Sequence, residues 1–395
     1  MKKKLCALIA LMVFCLSTAL AESPLTVGDR SQDVLLMKRK LQELGYIEKG
    51  KLTTAFTEKT AASLRDFQRL NGLPETGTLD EISRKVLFSG EAFSKPRPTL
   101  SPLSSPAPVT EGADWPERDE QGYLAGEGEF FLEDDESGRW IYLGKSLQIR
   151  IIRMTDASIP LIWFETDIRM RNGENFRTVQ TDPAHPGKKF QYPYVISRQE
   201  RFVLGFSDDF FANRMAHKET VGIIIREGEI ISRTTNRNPG HHLPNLDMMA
   251  IYADGSAEVF ECGEITAEQL LEKGAVNVFS FGPILLRDGE ISKPVYTWYR
   301  SIEPRHALGM IEPGHFLLLS FQGRTADSRG TMLQRVAETM KQRGVRQALN
   351  LDGGNTMALV FRGRMLNRLA TYKRKSFVRT VTSLIGIGCT ADQAE

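Results

Sequence analysis

Between residues 25 and 90, apolar side chains recur at the spacing of one helix face. Val34, Met37, Leu41 and Leu44 fall three or four apart, and Gly45 closes the run. A second periodic stretch starts near Thr57 and aligns Ala61, Leu64 and Phe67. A third opens at "TLDE", where Thr78 and Glu81 have the spacing of a capping box ahead of Ile82, Val86 and Leu87. Three short helices in this stretch predict a small all-α bundle.

The period then disappears. From Glu91 to Arg118, Pro96, Pro98, Pro102, Pro106, Pro108 and Pro116 alternate with serine and threonine and build no apolar face. Such a composition cannot bury a core and predicts a semi-rigid spacer over 91–118. From 119 to 390 the pattern is different again. "VGIIIREGEIIS", "MAIYADGSAEVFE", "PILLRDGEIS" and "ALVFRGRMLN" each set an X-Gly pair between apolar or alternating flanks, the mark of antiparallel hairpins. Helical spacing interrupts them at Thr266–Lys273 and at Thr331–Arg343, the latter with Leu333, Val336, Ala337 and Met340 on one face and Gly344 as the stop. The expectation is an α+β domain with a mixed sheet, preceded by the three-helix module.

One segment of that domain raises a chemical question. "HFLLLSFQGR" predicts a buried strand ending near Phe321, followed by a loop with Gly323 and Arg324, the helix, and a second buried strand "QALNL". A β-α-β crossover of this length makes the two strands parallel in one sheet, so Arg324 and Asp352 emerge at the same edge. The strand runs into "NLDGGNTMAL", a lone carboxylate at the lip of a buried strand followed by Gly353 and Gly354. The glycines can adopt positive φ and admit a ligand close to the backbone, where successive amides would form a small anion nest; a tight turn alone would also account for them.

Composition narrows the function classes. The chain of 395 residues is 41% hydrophobic and 25% charged, an ordinary globular balance. Its start, "MKKKLCALIALMVFCLSTALA", joins three lysines, a short apolar run and Ala19-Leu20-Ala21. This is the design of a secretory signal peptide over 1–21; the apolar run is too short for a membrane anchor, and bulky Val13 and Phe14 before Cys15 disfavour a lipoprotein. Cleavage removes Lys2, Lys3 and Lys4 and takes the formal charge from +2 to −1, which gives no support for nucleic-acid binding. It also removes Cys6 and Cys15, leaving Cys262 and Cys389, which could form one disulfide only if the fold brings them together. No further apolar run is long enough to serve as a transmembrane anchor.

Two resemblances follow. Residues 25–90, through Leu41, Leu44-Gly45-Tyr46, Phe67-Gln68 and Asn71-Gly72-Leu73, resemble the peptidoglycan-binding domain 1 family, three-helix modules that tether envelope enzymes to cell-wall polymer. Residues 119–390 resemble the phosphodiester glycosidase family, whose animal member removes N-acetylglucosamine from a sugar-1-phosphodiester. The matching stretches, in family order, are "FSDDFF" (206–211), "SFGPILLRDGE" (280–290), "EPRHALGM" (303–310), the run 321–357 containing "FQGRTADSRG" and "NLDGGNTM", and "GRMLNR" (363–368). Asp209, Arg305, Arg324, Asp352, Gly353 and Gly354 fit the pattern. Ser207, Gln322 and Asn355 depart from the usual asparagine, aspartate and third glycine.

The chemistry implied is cleavage at an anomeric carbon with phosphate as leaving group. A phosphodiester departs as a stable anion, so cations matter more than a strong general acid, and the planar fork of arginine binds two phosphate oxygens at once. Arg305 and Arg324 are the candidate clamp. Asp352 is the candidate nucleophile, base or electrostatic partner of the sugar, and Asp209 the second carboxylate. Gly282, Gly353, Gly354, Asn355 and Thr356 complete the implied substrate-binding set. No cofactor is implied, and no metal ligands are assigned: His241, His242 and Asp247 in "HHLPNLD" lack metal-site spacing and read as loop packing. Likewise "FLEDDESGR" reads as a solvated turn, and Trp298-Tyr299 as core or, less simply, as a stacking platform for a sugar.

The leading expectation is a secreted, wall-tethered phosphodiester glycosidase with peptidoglycan as partner of 25–90. A non-catalytic polysaccharide-binding or exopolysaccharide-assembly protein is the alternative that the three departures keep open. A peptidoglycan hydrolase would also explain the first module, but no amidase, transglycosylase or endopeptidase motif occurs. Export has a direct check. Terminal sequencing of secreted protein is expected to begin at Glu22, whereas an intact Met1 in the membrane fraction would establish a retained anchor.

Overall fold

The computed structural model describes residues 23–48, 50–89, 92, 104–108, 115–156, 158–185, 188–207, 222–235, 246–297, 301–372 and 375–390. Contacts divide the chain into two units, Met1–Thr99 and Leu100–Glu395. The first holds α1 (Gln32–Glu43), α2 (Glu58–Leu70) and α3 (Glu81–Phe88) around Val34, Met37, Leu41, Phe56, Ala61, Leu64, Phe67 and Leu87. Ser31 and Thr57 cap the first two helices, Thr57 in a reciprocal box with Thr60. At α3 the sequence expectation fails: the cap is Asp80, whose side chain accepts from Ser83 N at 2.7 Å, and Glu81 already lies inside the helix. An aspartate one residue before the helix is as good an N-cap as a threonine, and here it wins. Buried Gln68 ties the module together, donating to Thr76, Thr78 and Ser83 and accepting from Gly77 N.

The second unit is α+β. Its main sheet has nine strands: β1 (Phe130–Asp134), β2 (Arg139–Leu143), β3 (Leu147–Asp156), β4 (Leu161–Met170), β12 (Ile284–Arg287), β13 (Glu290–Ile291), β14 (Arg305–Glu312), β15 (His315–Phe321) and β16 (Gln347–Leu351), in the order β1-β2-β3-β4-β15-β14-β16-β12-β13. A five-stranded sheet is built from β7 (Gly222–Arg226), β8 (Glu229–Thr234), β9 (Asp247–Tyr252), β10 (Ala257–Phe260) and β11 (Ala275–Phe281). Another contains β5 (Arg177–Gln180), β6 (Leu204–Phe206), β17 (Leu359–Phe361), β18 (Arg364–Met365) and β21 (Ser383–Ile387), and β19 (Thr371–Tyr372) pairs with β20 (Lys375–Ser376). The helices are α4 (Pro193–Gln199), α5 (Ala267–Glu272), α6 (Lys293–Thr297) and α7 (Leu333–Gln342).

All four X-Gly hairpins form. Three turn on a pair of positive-φ residues, Glu227-Gly228, Asp288-Gly289 and Arg362-Gly363, which matches the right-handed twist of the flanking strands. The crossover β15–α7–β16 also forms, and its two strands are parallel. They are not neighbours, however. Strand β14 lies between them and pairs antiparallel with both, so every adjacent pair in this sheet is antiparallel, not mixed. Both faces of the sheet are covered, which explains the continuous apolar run of β15. Leu317, Leu319 and Phe321 pack with Leu333, Val336, Ala337 and Met340 of α7, while Phe316 and Leu318 join Leu308, Leu349, Met249, Phe279, Phe206 and Ile385 on the other side. A helix of ten residues is marginal alone; burial worth roughly 1.5–3 kcal/mol per large apolar side chain is what holds it.

Within the second unit, Ser104 O accepts from Arg343 Nη2 at 2.8 Å, and Trp115 packs on Phe130. Cys262 and Cys389 are both free thiols, not a disulfide.

A buried ion pair fastens α7 to the sheet. Arg343, at the end of the helix, donates Nε and Nη2 to the two oxygens of Glu165 on β4, each at 2.9 Å, and Trp163 Nε1 donates to the same carboxylate at 2.9 Å. Removing one partner strands a nearly buried charge, which typically costs about 3–5 kcal/mol. Glu165→Gln is therefore expected to lower the melting temperature by several degrees, and an apolar pair at 165 and 343 to recover most of it. Calorimetry showing an unchanged midpoint in Glu165→Gln would make the pair ornamental.

Candidate active site

The crossover delivers its two loops to one sheet edge, and β14, running antiparallel between them, brings its own start to the same place. A cleft of about 330 Å³ opens there, lined by Phe281, Glu303, Pro304, Arg305, Arg324, Asn350, Leu351, Asp352, Gly353, Gly354, Asn355 and Arg379. Its floor is made by close backbone packing. A Cβ at Gly353 would sit well inside 3.0 Å of the Pro304 carbonyl oxygen, and one at Gly330 equally close to the carbonyl of Glu303. Side chains at either position would push the 303–305 segment off the strand ends.

The two glycines after Asp352 thus differ in purpose. Only Gly354 has a positive φ, +60°. Gly353 is needed for room, not for conformation. Two of the loop's amides are engaged within the protein, Gly354 N donating to Pro304 O at 3.1 Å and Thr356 N to Gly353 O at 3.1 Å. Positive charge also comes from side chains.

Arg324, itself at φ +57°, donates Nε to Glu303 Oε2 at 2.7 Å and Nη1 to Asn355 Oδ1 at 3.0 Å. Arg305 donates Nε to Thr331 O at 3.2 Å and Nη2 to Ser301 O at 2.7 Å. Asp352 is half-buried and lines the same cleft. Of the residues assigned from sequence, Arg305, Arg324, Asp352, Gly353, Gly354 and Asn355 share the cleft. Thr356 is buried behind it and accepts from Arg379 Nη1 at 3.1 Å. Gly282 sits one layer away, exchanging hydrogen bonds with Asn350 (Gly282 N to Asn350 O, 3.0 Å; Asn350 Nδ2 to Gly282 O, 2.8 Å). Asp209, His241, His242 and Trp298-Tyr299 lie outside the described residues. Asp247 is structural: buried, it accepts from the amides of Cys262 and Ile284 at 3.2 and 3.1 Å.

Two charged residues of the cleft had no sequence assignment. Glu303 opens the quoted stretch "EPRHALGM" but carried no role, and Arg379 stands beyond every matching stretch. Of the departures from the family pattern at Ser207 and Gln322, the first has a local structural role. Ser207 Oγ donates to Thr356 O and accepts from Ala358 N, both at 2.9 Å, so it splices β6 to the segment after the cleft. Gln322 is buried; its backbone N–H donates to Ile162 O at 2.9 Å, and its side-chain Oε1 has no hydrogen-bond partner among the described residues.

Residues 200–388 match the phosphodiester glycosidase family, and residues 30–87 match a peptidoglycan binding domain. Over 200–388 the second unit is similar to the phosphodiester glycosidase family. The cleft residues all fall within the matched segment. Among curated proteins, the SPbeta prophage-derived uncharacterized protein YomE of Bacillus subtilis is 27% identical over 134 residues, 33% of this chain; the match spans only 21% of that relative. Among solved structures, the catalytic domain of zebrafish N-acetylglucosamine-1-phosphodiester alpha-N-acetylglucosaminidase, auto-inhibited by its pro-peptide, is 19% identical, with 66% of this chain and 88% of that one covered at a TM-score of 0.48. A hypothetical protein from Synechocystis is 14% identical, with 62% of each chain covered at a TM-score of 0.43.

At this cleft, Asp352 and Arg324 can be tested as chemistry separately from architecture. Asp352→Asn keeps the shape and removes the charge. It is expected to leave the melting temperature within a few degrees and to lower the rate of sugar release by roughly 10²-fold or more. Arg324→Lys is also expected to lose rate, since an ammonium cannot keep the fixed bonds to Glu303 and Asn355 and still present an aligned donor to the cleft. A fully active Asp352→Asn protein would reduce "NLDGGN" to a turn.

Proposed function

We propose that this chain is an exported, wall-associated hydrolase that cleaves the sugar–phosphate bond of a sugar-1-phosphodiester in envelope or exopolysaccharide material. The observation that carries the reading is the convergence of Asp352 with Arg305 and Arg324 on one sheet edge inside the family-matched segment. Water adds to the anomeric carbon, the C1–O bond breaks, and the bond's electron pair leaves with the phosphate, which becomes a phosphomonoester. The arginines stabilise the charge on that leaving group, and Asp352 either attacks C1 or takes the proton from water. The helical module supports the wall association, and no helix among the described residues is long and apolar enough to cross a membrane.

Purified chain from residue 22 onward is the test material. Incubated in ¹⁸O-water with UDP-N-acetylglucosamine and with synthetic methyl phosphodiesters of common sugars, it is expected to release free sugar and phosphomonoester in equal amounts, with the label in the sugar. It is also expected to sediment with purified sacculi. Label in the phosphate would mean P–O cleavage and a phosphodiesterase. Polymer binding with no sugar released from any diester would favour the non-catalytic accessory protein.

A further inference from the structure

The position where the family usually has its third glycine is occupied here by Asn355, and the structure gives that side chain a specific occupation. Oδ1 accepts from Arg324 Nη1 at 3.0 Å, and Nδ2 donates to Ala370 O. The next residue, Thr371, donates its amide to the backbone carbonyl of Arg324 at 3.2 Å. Arg324, Asn355 and the 370–371 segment therefore close a ring of hydrogen bonds. Asn355 is only 5% exposed, and both ends of its amide are engaged in this ring.

The ring acts on a residue under strain. Arg324 holds a backbone conformation that L side chains rarely adopt, and such outliers persist only where the surroundings enforce them. With Nε on Glu303 and Nη1 on Asn355, the guanidinium is fixed at two points, and Nη2 makes no hydrogen bond among the described residues. The group lies over Gly354, where a Cβ would come within 3.6 Å of Nη1. A glycine at 355 could supply neither of the Asn355 bonds.

We propose that Asn355 is a positioning residue that locks the Arg324 guanidinium and reserves Nη2 for a non-bridging oxygen of a phosphodiester in the cleft. This rests on reading the cleft as a phosphodiester site. It converts an apparent departure from the family pattern into a second anchor for the phosphate-binding arginine.

A double-mutant cycle in the full chain tests it, with two readouts: the Kd of dimethyl phosphate by calorimetry, and KM and kcat for whichever sugar-1-phosphodiester is hydrolysed. Asn355→Gly is expected to weaken dimethyl phosphate binding by about five- to tenfold, the scale of one net hydrogen bond, and to raise KM more than it lowers kcat. Arg324→Ala is expected to weaken it further, and adding Asn355→Gly to Arg324→Ala to change nothing beyond twofold, because the asparagine acts through the arginine. Additive losses, unchanged affinity in Asn355→Gly, or no dimethyl phosphate binding by the parent chain would each overturn the proposal. If Asn355→Gly does not fold, Asn355→Ser, too short to reach Nη1, carries the same cycle. A coupled cycle without any diester turnover would sink the glycosidase reading and leave the positioning role standing; turnover with additive losses would do the opposite.

Discussion

The cleft exists because three backbone segments are allowed to touch. Glycines at 323, 330 and 353 leave no Cβ between themselves and the Glu303–Arg305 backbone, so the loops after β15 and β16 close directly onto the start of β14. Everything chemical at this edge inherits its position from that contact. Arg305 is the first residue of a strand whose entry is gripped from both sides, Arg324 follows Gly323, and Asp352 precedes Gly353. Protein interiors are close-packed and transmit small displacements, so a site built on backbone contacts is stiffer than one hung from long side chains.

On this floor the charges are arranged by mutual restraint. Arg324 is neutralised on one side by Glu303 and steadied on another by a neutral amide. Arg379 reaches in from the last part of the chain and is braced by Thr356. Arginine forks that are already aligned lose less freedom on meeting an anion, which is the physical advantage of investing so many protein hydrogen bonds in groups that also have to bind a ligand.

What was legible in the sequence was local. The 3.6-residue period located α1, α2 and α7, and X-Gly pairs located four hairpins, because each of these signals lies within a dozen residues of chain. The β-α-β length argument correctly put Arg324 and Asp352 on one edge. It could not show that β14 would slip between the two parallel strands, since strand order depends on packing partners far apart in sequence. The same limit hid Glu303 and Arg379, which have no local signature and become cleft residues only through tertiary placement. "DGG" suggested conformational freedom for both glycines; the carbonyl of Pro304, some fifty residues earlier, decides that Gly353 is there for clearance. Thr78 lost the α3 cap to Asp80 because two good capping residues stood within one turn, and spacing alone ranks them equally.

The splice made by Ser207 has a consequence for how such a domain can diversify. Its hydroxyl joins two points 149 residues apart. Once that closure is made, the entropy of the enclosed chain rises only with the logarithm of its length, about 0.6 kcal/mol for each doubling. Surface loops inside the span can therefore be lengthened, exchanged or rebuilt at small thermodynamic penalty while the glycine-packed floor stays where it is. Descendants of this architecture are free to vary the walls that meet a sugar and its aglycone without renegotiating the chemistry beneath them.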